Sequence, residues 1–266
     1  MKRRGKVLAV ISSKGGSGKT VTAANLAAAL SSYFDKKILV IDANITTACL
    51  GMHFGILYPK VTIYDVLKKN FQLENAFFPY NSNLYIVPAS MTIEKNYYDD
   101  PSLLQDTMGE LINHYHILLS YVTNEFDLVI LDAAPGFSVE AITTMKVADG
   151  NLIVTNPEYP AIAATIKLVE YARMIKTPLA GIVLNRVMKK SYEPKKEDLE
   201  KLFRVKIVGE IPYDKNVPEA IANKTPIVLY NESSPASIAY KKLAATLIGK
   251  EYKADFLERM RNLLNF

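Results

Sequence analysis

The sequence predicts an α/β fold with a doubly wound, mostly parallel sheet flanked by helices. Short, almost wholly apolar runs recur, as is typical of strands buried on both faces: 6–11, 37–42, 84–89, 126–132, 151–156, 180–185 and 206–211. Segments with helical spacing lie between them, at about 20–33, 101–121, 138–147, 160–175, 195–203 and 235–249. Strands that alternate with helices indicate a parallel sheet covered on both sides.

The composition is that of one large domain. The chain has 266 residues, of which 49% are hydrophobic, and this is enough to bury a single core. We expect residues 1–249 to form this domain and residues 250–266 to form a tail. The basic start "MKRR" precedes an apolar run that is too short for a secretory signal, and no stretch approaches the roughly 18 apolar residues of a membrane span. The sequence therefore predicts a soluble or peripheral cytoplasmic protein.

Cysteine, histidine and net charge narrow the function classes. The lone Cys49 excludes a disulfide framework and a cysteine-ligated cluster within one chain, and we interpret it as a small apolar filler. His114 and His116 have no carboxylate or thiol cluster at metal-ligand spacing nearby. The net charge of +5 and the pI near 9.0 favour an anionic partner, without choosing between lipid headgroups and DNA.

The first predicted strand leads into the glycine-rich stretch "SSKGGSGKT", residues 12–20. Gly15, Gly16 and Gly18 allow a tight loop whose backbone N–H groups hold a polyphosphate, and the next helix adds its positive end. Lys19 is placed to reach the outer phosphates, and the Thr20 hydroxyl is placed to ligate magnesium. A position between a buried strand and a helix is the context that this motif requires, so we predict a phosphate site here.

Acidic residues at two strand ends support a metal at this site. Asp132 ends the run 126–132 and would lie beside the loop if that strand neighbours strand 6–11, where it can hold a water on magnesium. Asp42 ends the run 37–42 and is a further candidate for the metal shell. Gly136, in the "AAPG" that follows Asp132, is predicted to be a pivot that senses the terminal phosphate.

These residues carry a resemblance to a known family. "KGGSGKT" resembles the deviant Walker A motif, and with "DLVILDAAPG", "VTNPE" and "GIVLNRV" the chain resembles the MinD/ParA family of P-loop ATPases, archaeal MinD above all. The similarity extends from about Lys6 to Gly249. It implies ATP and Mg²⁺ as ligands and a homodimer that encloses two nucleotides.

The resemblance also implies a role for the extra lysine of the loop. Lys14 would reach the phosphates bound by the other subunit and act as an arginine finger does, where negative charge develops. The alternative, that Lys14 neutralises the nucleotide of its own subunit, stays open. By the same resemblance, Asn185 contacts the adenine ring and the segment around Pro212 lies near the base. The nucleotide-binding set that this implies is Lys14, Gly15, Gly16, Ser17, Gly18, Lys19, Thr20, Val21, Asn185 and Pro212.

The chain departs from the family pattern at one catalytic position. The family usually has D-x-D at the end of the second strand, whereas this chain has Asp42, Ala43 and Asn44. The second aspartate orients the attacking water; an asparagine can still hold a water but cannot take up a proton. We therefore predict ATP binding with slowed hydrolysis and a long-lived dimer. The predicted catalytic residues are Lys14, Lys19, Asn44 and Asp132.

The tail, residues 250–266, has an amphipathic pattern. On a helical wheel its apolar residues fall within an arc of about 140°: Tyr252, Phe256, Leu257, Met260, Leu263 and Leu264. Arg259 and Arg261 flank this arc and can snorkel toward headgroups. The pattern alone fits a helix docked on the core equally well. The resemblance favours membrane targeting, since MinD proteins carry such a C-terminal helix, and two tails on one dimer would bind as a pair.

Three functions follow as alternatives. The first is a MinD-type ATPase, peripheral at the inner face of the cell membrane, that positions or recruits a partner under an unidentified protein regulator. The second is a ParA-type partition ATPase that binds DNA without sequence preference in a salt-sensitive way; the positive charge fits it, but the tail then has no clear role. The third is an iron–sulfur carrier of a related type, against which the absence of a second cysteine argues.

Overall fold

The computed structural model describes residues 5–68, 72–90 and 108–252. Within them eight strands form one sheet, in the order β3-β4-β2-β5-β1-β6-β7-β8. The strands are β1 Lys6–Ile11, β2 Ile38–Ala43, β3 Phe78–Asn81, β4 Leu84–Val87, β5 Leu128–Ala133, β6 Gly150–Thr155, β7 Leu179–Val187 and β8 Ile207–Pro212. The helices are α1 Lys19–Tyr33, α2 Ile63–Leu67, α3 Met108–Val122, α4 Val139–Val147, α5 Tyr159–Met174, α6 Lys196–Phe203, α7 Asn216–Ala222, α8 Ile227–Tyr230 and α9 Pro235–Leu247.

The sheet is parallel except at one edge, where β3 pairs antiparallel with β4. The predicted doubly wound α/β class is confirmed. Strand β1 lies between β5 and β6, so the predicted neighbourhood of strand 6–11 and strand 126–132 is also confirmed. The sequence analysis missed β3, because this short strand contains the exposed Pro79 and has no apolar run. Proline is tolerated there because an edge strand need not donate on its outer side.

Two apolar cores cover the two faces of the sheet. Successive strand residues point to opposite faces, so Leu8 and Val10 of β1 pack in the core beneath α1, α7, α8 and α9. Val7, Ala9 and Ile11 face the other core, which α2, α3, α4, α5 and α6 cover. Burial on both faces explains why the strands read as continuous apolar runs.

Five of the six predicted helices agree with the structure to within two residues at each end. Within the described residues the predicted helix 101–121 begins at Met108 and continues to Val122, while residues 101–107 lie outside them. Helices α2, α7 and α8 were not predicted, nor were two short 3₁₀ helices at Leu50–Phe54 and Leu73–Ala76. For α2 a signal was present, since Thr62 and Asp65 form a capping box of the kind that marks a helix start.

Helix α9 ends where the predicted tail begins. Gly249 has a φ of 68°, and the Lys250 N–H donates to the Ala245 carbonyl over 2.8 Å, which is a glycine C-terminal cap. The ring of Tyr252 then packs edge-on to Phe34, with 6.3 Å between centroids. Residues 253–266, and with them most of the predicted amphipathic tail, lie outside the described residues. Within the described ranges, no helix is both long enough and apolar enough to cross a membrane.

Candidate functional site

A loop of seven residues, 12–18, connects β1 to α1 at the carboxyl end of the central strand. Gly16 and Gly18 have φ values of 77° and 91°, a region that favours glycine. A Cβ atom built at Gly15 or Gly16 would meet nothing within 4 Å, so the main chain on this side of the loop is open to a ligand. The loop therefore has the open, glycine-lined side that a polyphosphate requires.

The two lysines of the loop lie in different environments. Lys19, the first residue of α1, is buried, with 7% of its surface exposed. Lys14 is exposed, and its backbone carbonyl accepts a hydrogen bond from the Ser12 hydroxyl over 2.8 Å. One positive charge is therefore held inside the loop, and the other is presented outward.

The end of β7 contacts the loop directly. The Asn185 side-chain amide donates to the Ser17 carbonyl over 2.8 Å, and a Cβ on Gly18 would lie 2.1 Å from the same Asn185 nitrogen. The structure thus brings Asn185 to the loop, although its predicted partner was the adenine ring. Pro212 lies farther along the same edge, at the end of β8, where it pairs with Val187.

Two other residues of the predicted nucleotide-binding set are Ser17, in the loop, and Val21, in α1. The Ser17 hydroxyl is buried and has no hydrogen-bond partner in the described part of the chain. Val21 is partly buried and packs against the core beneath α1.

Asp42 and Asp132 lie side by side on adjacent parallel strands and are fully buried. Asp42 is well satisfied, because it accepts hydrogen bonds from the backbone N–H groups of Asn44, Cys49 and Leu50. Both carboxylate oxygens of Asp132, in contrast, lack a hydrogen-bond partner among the described residues. Buried carboxylates normally have partners, so Asp132 is the member of the pair that is available to a ligand.

Burial has a large electrostatic effect on this pair. It raises the pKa of Asp42 to about 8, and the neighbouring charge of Asp132 adds to the effect. Burial also raises the pKa of Asp132, while the Lys19 ammonium and the Thr20 hydroxyl lower it. Two adjacent buried carboxylates are costly to ionise together, so a cation bound beside them would be strongly stabilising.

The residues present fit a magnesium ion. Magnesium is usually bound through one or two oxygen ligands of the protein and completes its shell with substrate phosphates and water. Asp132 has two unpartnered oxygens, and the Thr20 hydroxyl lies at the start of α1. No cluster of three histidine, cysteine or acidic side chains suited to a metal occurs among the described residues, so an ion here would depend on nucleotide oxygens.

Asn44 is held by its own loop. Its Nδ2 donates to the Thr47 carbonyl over 2.8 Å, and its Oδ1 accepts from the Thr47 hydroxyl over 3.0 Å. The neighbouring Thr46 hydroxyl donates to Glu140 of α4 over 2.9 Å. The amide group at this position therefore has a structural use, since an aspartate would place a carboxylate oxygen against the Thr47 carbonyl.

Gly136, which the sequence analysis predicts to be a pivot for the terminal phosphate, lies against the phosphate loop. Its N–H donates to the Ser12 carbonyl over 2.9 Å, and its φ of 77° again favours glycine. The loop after β5 is thus connected to the loop after β1 through a single backbone hydrogen bond.

Cys49 is a site residue that the sequence analysis missed. Its Sγ lies 3.3 Å from the Thr20 Oγ1, and the side chain is half-buried. Burial raises the pKa of this thiol, as do the charges of Asp132 and Asp42. The interpretation of Cys49 as an apolar filler is wrong, because a hydroxyl and two carboxylates surround it. No signal in the sequence could have found this contact, because it depends on how the loop after β2 folds back on Asp42.

The strand–loop–helix geometry, the buried Lys19 and the strand-end Asp132 define a P-loop nucleotide-binding protein. A family profile described as an AAA domain matches residues 5–184. An uncharacterised ATP-binding protein of Methanocaldococcus jannaschii is 36% identical over 243 residues, which cover 91% of this chain and 88% of that protein.

Two solved structures of MinD proteins are similar to this chain in fold. The cell division ATPase MinD of Pyrococcus furiosus superposes with a TM-score of 0.81 at 28% identity, over 92% of this chain and 99% of that one. The septum site-determining protein MinD of Pyrococcus horikoshii, complexed with Mg-ADP, has a TM-score of 0.79 at 26% identity, over 90% and 94%. The chain therefore belongs to the MinD/ParA family of P-loop ATPases and resembles its archaeal MinD-like members.

The contact between Gly18 and Asn185 generates a first prediction. Gly18→Ala places a methyl group against the Asn185 amide and forces a side chain into a left-handed conformation, so we expect the free energy of unfolding to fall by about 1–3 kcal/mol. Gly15→Ala is the matched control, since its methyl group enters open space, and should cost less than about 1 kcal/mol. Urea denaturation without nucleotide measures both; equal losses would contradict the packing described.

The unpartnered Asp132 generates a second prediction. The folded chain binds protons on Asp42 and Asp132 more tightly than the unfolded chain, so without nucleotide its stability should fall as the pH rises from about 4 to about 8. Asp132→Asn removes one buried charge and should stabilise the nucleotide-free protein by about 1–3 kcal/mol at pH 8, with a gain that shrinks toward pH 4.

Denaturation curves at several pH values test this expectation. Asp198→Asn, on an exposed residue of α6, is the control and should change stability by less than about 0.5 kcal/mol. A loss of stability in Asp132→Asn at pH 8 would show that the carboxylate is satisfied in the folded protein.

Proposed function

We propose that this chain is a MinD-type ATPase. It binds Mg-ATP at the loop 12–20, forms a homodimer with two nucleotides at the interface, and attaches to a membrane surface through residues 250–266. There it positions or recruits a partner protein under an unidentified regulator. The observation that carries this proposal is the contrast between the buried Lys19 and the exposed Lys14.

The exposed Lys14 supports a dimer across the nucleotide. Lys19 already places one cation inside the loop, so a second cation on the outer side is not needed to form the pocket. A lysine presented outward beside a phosphate loop is available to the phosphates of a facing subunit, where added positive charge stabilises the transferred phosphoryl group. Lys14 would thus complete the site of the partner.

The carboxylates at the strand ends support the metal contacts, and the family resemblance alone supports the base contacts. Thr20 and Asp132 would hold the magnesium ion, directly or through water, and the ion would neutralise charge on the phosphates. Asp42, with three backbone N–H groups bound, would instead fix the loop that carries Asn44. Asn185 and Pro212 would lie near the adenine. The Mg-ADP complex of the Pyrococcus horikoshii MinD supports this choice of ligands.

Asn44 would slow the hydrolysis step. An asparagine cannot accept a proton from the attacking water, and here both ends of its amide are bound to Thr47. The side chain must therefore leave Thr47 before it can orient a water. Slow hydrolysis would prolong the ATP-bound dimer.

The tail supports attachment to a membrane, and the surface charge supports the alternative of binding to DNA. An amphipathic tail binds weakly as a single copy, and a dimer presents two copies with a raised effective concentration. ATP-dependent dimerisation would in this way become ATP-dependent membrane attachment. The pI near 9.0 is the observation that favours the ParA-type alternative, in which surface lysines and arginines bind DNA.

Replacing Asn44 with the aspartate that is usual in the family tests the role of this residue. Asn44→Asp gives the site a proton acceptor and loses the bond to the Thr47 carbonyl, so we expect single-turnover ATP hydrolysis to rise by about tenfold or more. Asn124→Asp is the matched control, because the Asn124 amide also donates to a backbone carbonyl but is exposed and remote. Equal rates in Asn44→Asp and the unaltered chain would refute a slowed step at this position.

Co-sedimentation distinguishes membrane from DNA. We expect the full chain to pellet with anionic liposomes in ATP but not in ADP, because only the dimer presents two tails. A chain ending at Gly249 and the full chain carrying Phe256→Asp should stay in the supernatant. Lys14→Ala should still bind ATP, yet remain monomeric in analytical ultracentrifugation and fail to pellet.

Co-sedimentation of the same chains with duplex DNA tests the alternative function. Salt-sensitive binding to DNA that is indifferent to residues 250–266 would favour the ParA-type function. A monomer at saturating ATP in the unaltered chain would refute the enclosed-nucleotide dimer itself.

A further inference from the structure

The thiol of Cys49 lies at the edge of the metal site. Its Sγ is 3.3 Å from the Oγ1 of Thr20, the hydroxyl that is placed to bind the metal. Its backbone N–H donates to Asp42 over 3.1 Å, which fixes residue 49 relative to the two carboxylates. Sulfur, hydroxyl and carboxylate groups therefore converge on the start of α1.

Asp132 gives an independent indication of a ligand at this place. It is fully buried, and both of its oxygens lack a hydrogen-bond partner among the residues that the structure describes. Thr20 neighbours both this carboxylate and the Cys49 thiol. A cation that satisfies Asp132 would consequently lie within reach of the sulfur.

The separation of the sulfur and the hydroxyl oxygen suits two ligands of one ion. With a metal–sulfur distance of about 2.3 Å and a metal–oxygen distance of about 2.1 Å, the two donors lie about 3.1 Å apart at a right angle and about 3.6 Å apart at a tetrahedral angle. The observed 3.3 Å falls between these limits. Both groups could bind the same ion with little movement.

We propose that Cys49 is a specificity-determining ligand of the metal that accompanies the nucleotide. Its sulfur and the Thr20 oxygen bind one thiophilic divalent cation, such as Zn²⁺ or Cd²⁺, whereas Mg²⁺ is held through oxygen alone. When the sulfur–metal bond forms, the thiol releases its proton to the buffer. This inference rests on the proposed nucleotide function, because the phosphates complete the metal shell.

A cadmium titration of the full chain tests this proposal. Cys49 is the single cysteine of the sequence, so any thiolate-to-cadmium charge-transfer band in the ultraviolet reports on this residue alone. With a non-hydrolysable ATP analogue present, we expect the band to reach its limit at one equivalent of Cd²⁺. It should require the nucleotide, and excess Mg²⁺ should remove it by competition.

The matched variant is Cys49→Ser, which replaces the sulfur with an oxygen of similar placement. We expect it to eliminate the band and to lower the ratio of Cd²⁺ affinity to Mg²⁺ affinity by about tenfold or more. Thermal melting establishes that the variant is folded, and the band in the unaltered chain does not depend on the variant.

The outcomes separate this inference from the proposed function. Calorimetry on the same chain measures Mg-ATP binding. A chain that binds Mg-ATP but gives no band, or gives a band indifferent to nucleotide and Mg²⁺, overturns the role of Cys49 alone. An unchanged metal-affinity ratio in Cys49→Ser overturns it as well. A chain that binds no nucleotide with either metal overturns the proposed function and this inference together.

Discussion

The site is organised around two carboxylates that the sheet buries side by side. Asp42 and Asp132 share a register on β2 and β5, and neither reaches solvent. The fold satisfies Asp42 with backbone N–H groups and leaves Asp132 unpartnered. This arrangement costs stability in the empty protein and is offset only when positive charge is close. Lys19 supplies part of that charge, and a metal–nucleotide complex would supply the rest.

Several loops meet at the carboxyl ends of the parallel strands, because the strands that precede these loops lie next to each other in the sheet. The loop after β1 accepts hydrogen bonds from Gly136, which follows β5, and from Asn185 of β7. The loop after β2 is fixed on Asp42 and reaches α4 through Thr46 and Glu140. The loop after β2 is fixed on Asp42 by three backbone hydrogen bonds, whereas the contacts made by Gly136, Asn185 and Thr46 are one hydrogen bond each. Nucleotide binding can therefore rearrange the loops without disturbing the two cores.

The sequence was informative wherever burial was complete. Strands covered on both faces have continuous apolar runs, so the parallel strands could be placed, and the glycine loop identified the site. Strand β3, with its exposed Pro79, lacks such a run, and the short helices α7 and α8 lack a full amphipathic repeat. The contacts of Asn44 with Thr47, and of Cys49 with Thr20, depend on loop conformation and side-chain direction. No local pattern encodes them.

Helix α1 connects the phosphate loop with the start of the C-terminal segment. It begins at Lys19 in the phosphate loop and ends at Tyr33, next to Phe34, against which Tyr252 packs. Fifteen residues span about 22 Å, and the helix is alanine-rich and buried on most of its surface. A helix enclosed in this way cannot bend or rotate without opening gaps in the core. The phosphate loop and the start of the C-terminal segment are therefore held at a fixed separation by one rigid element.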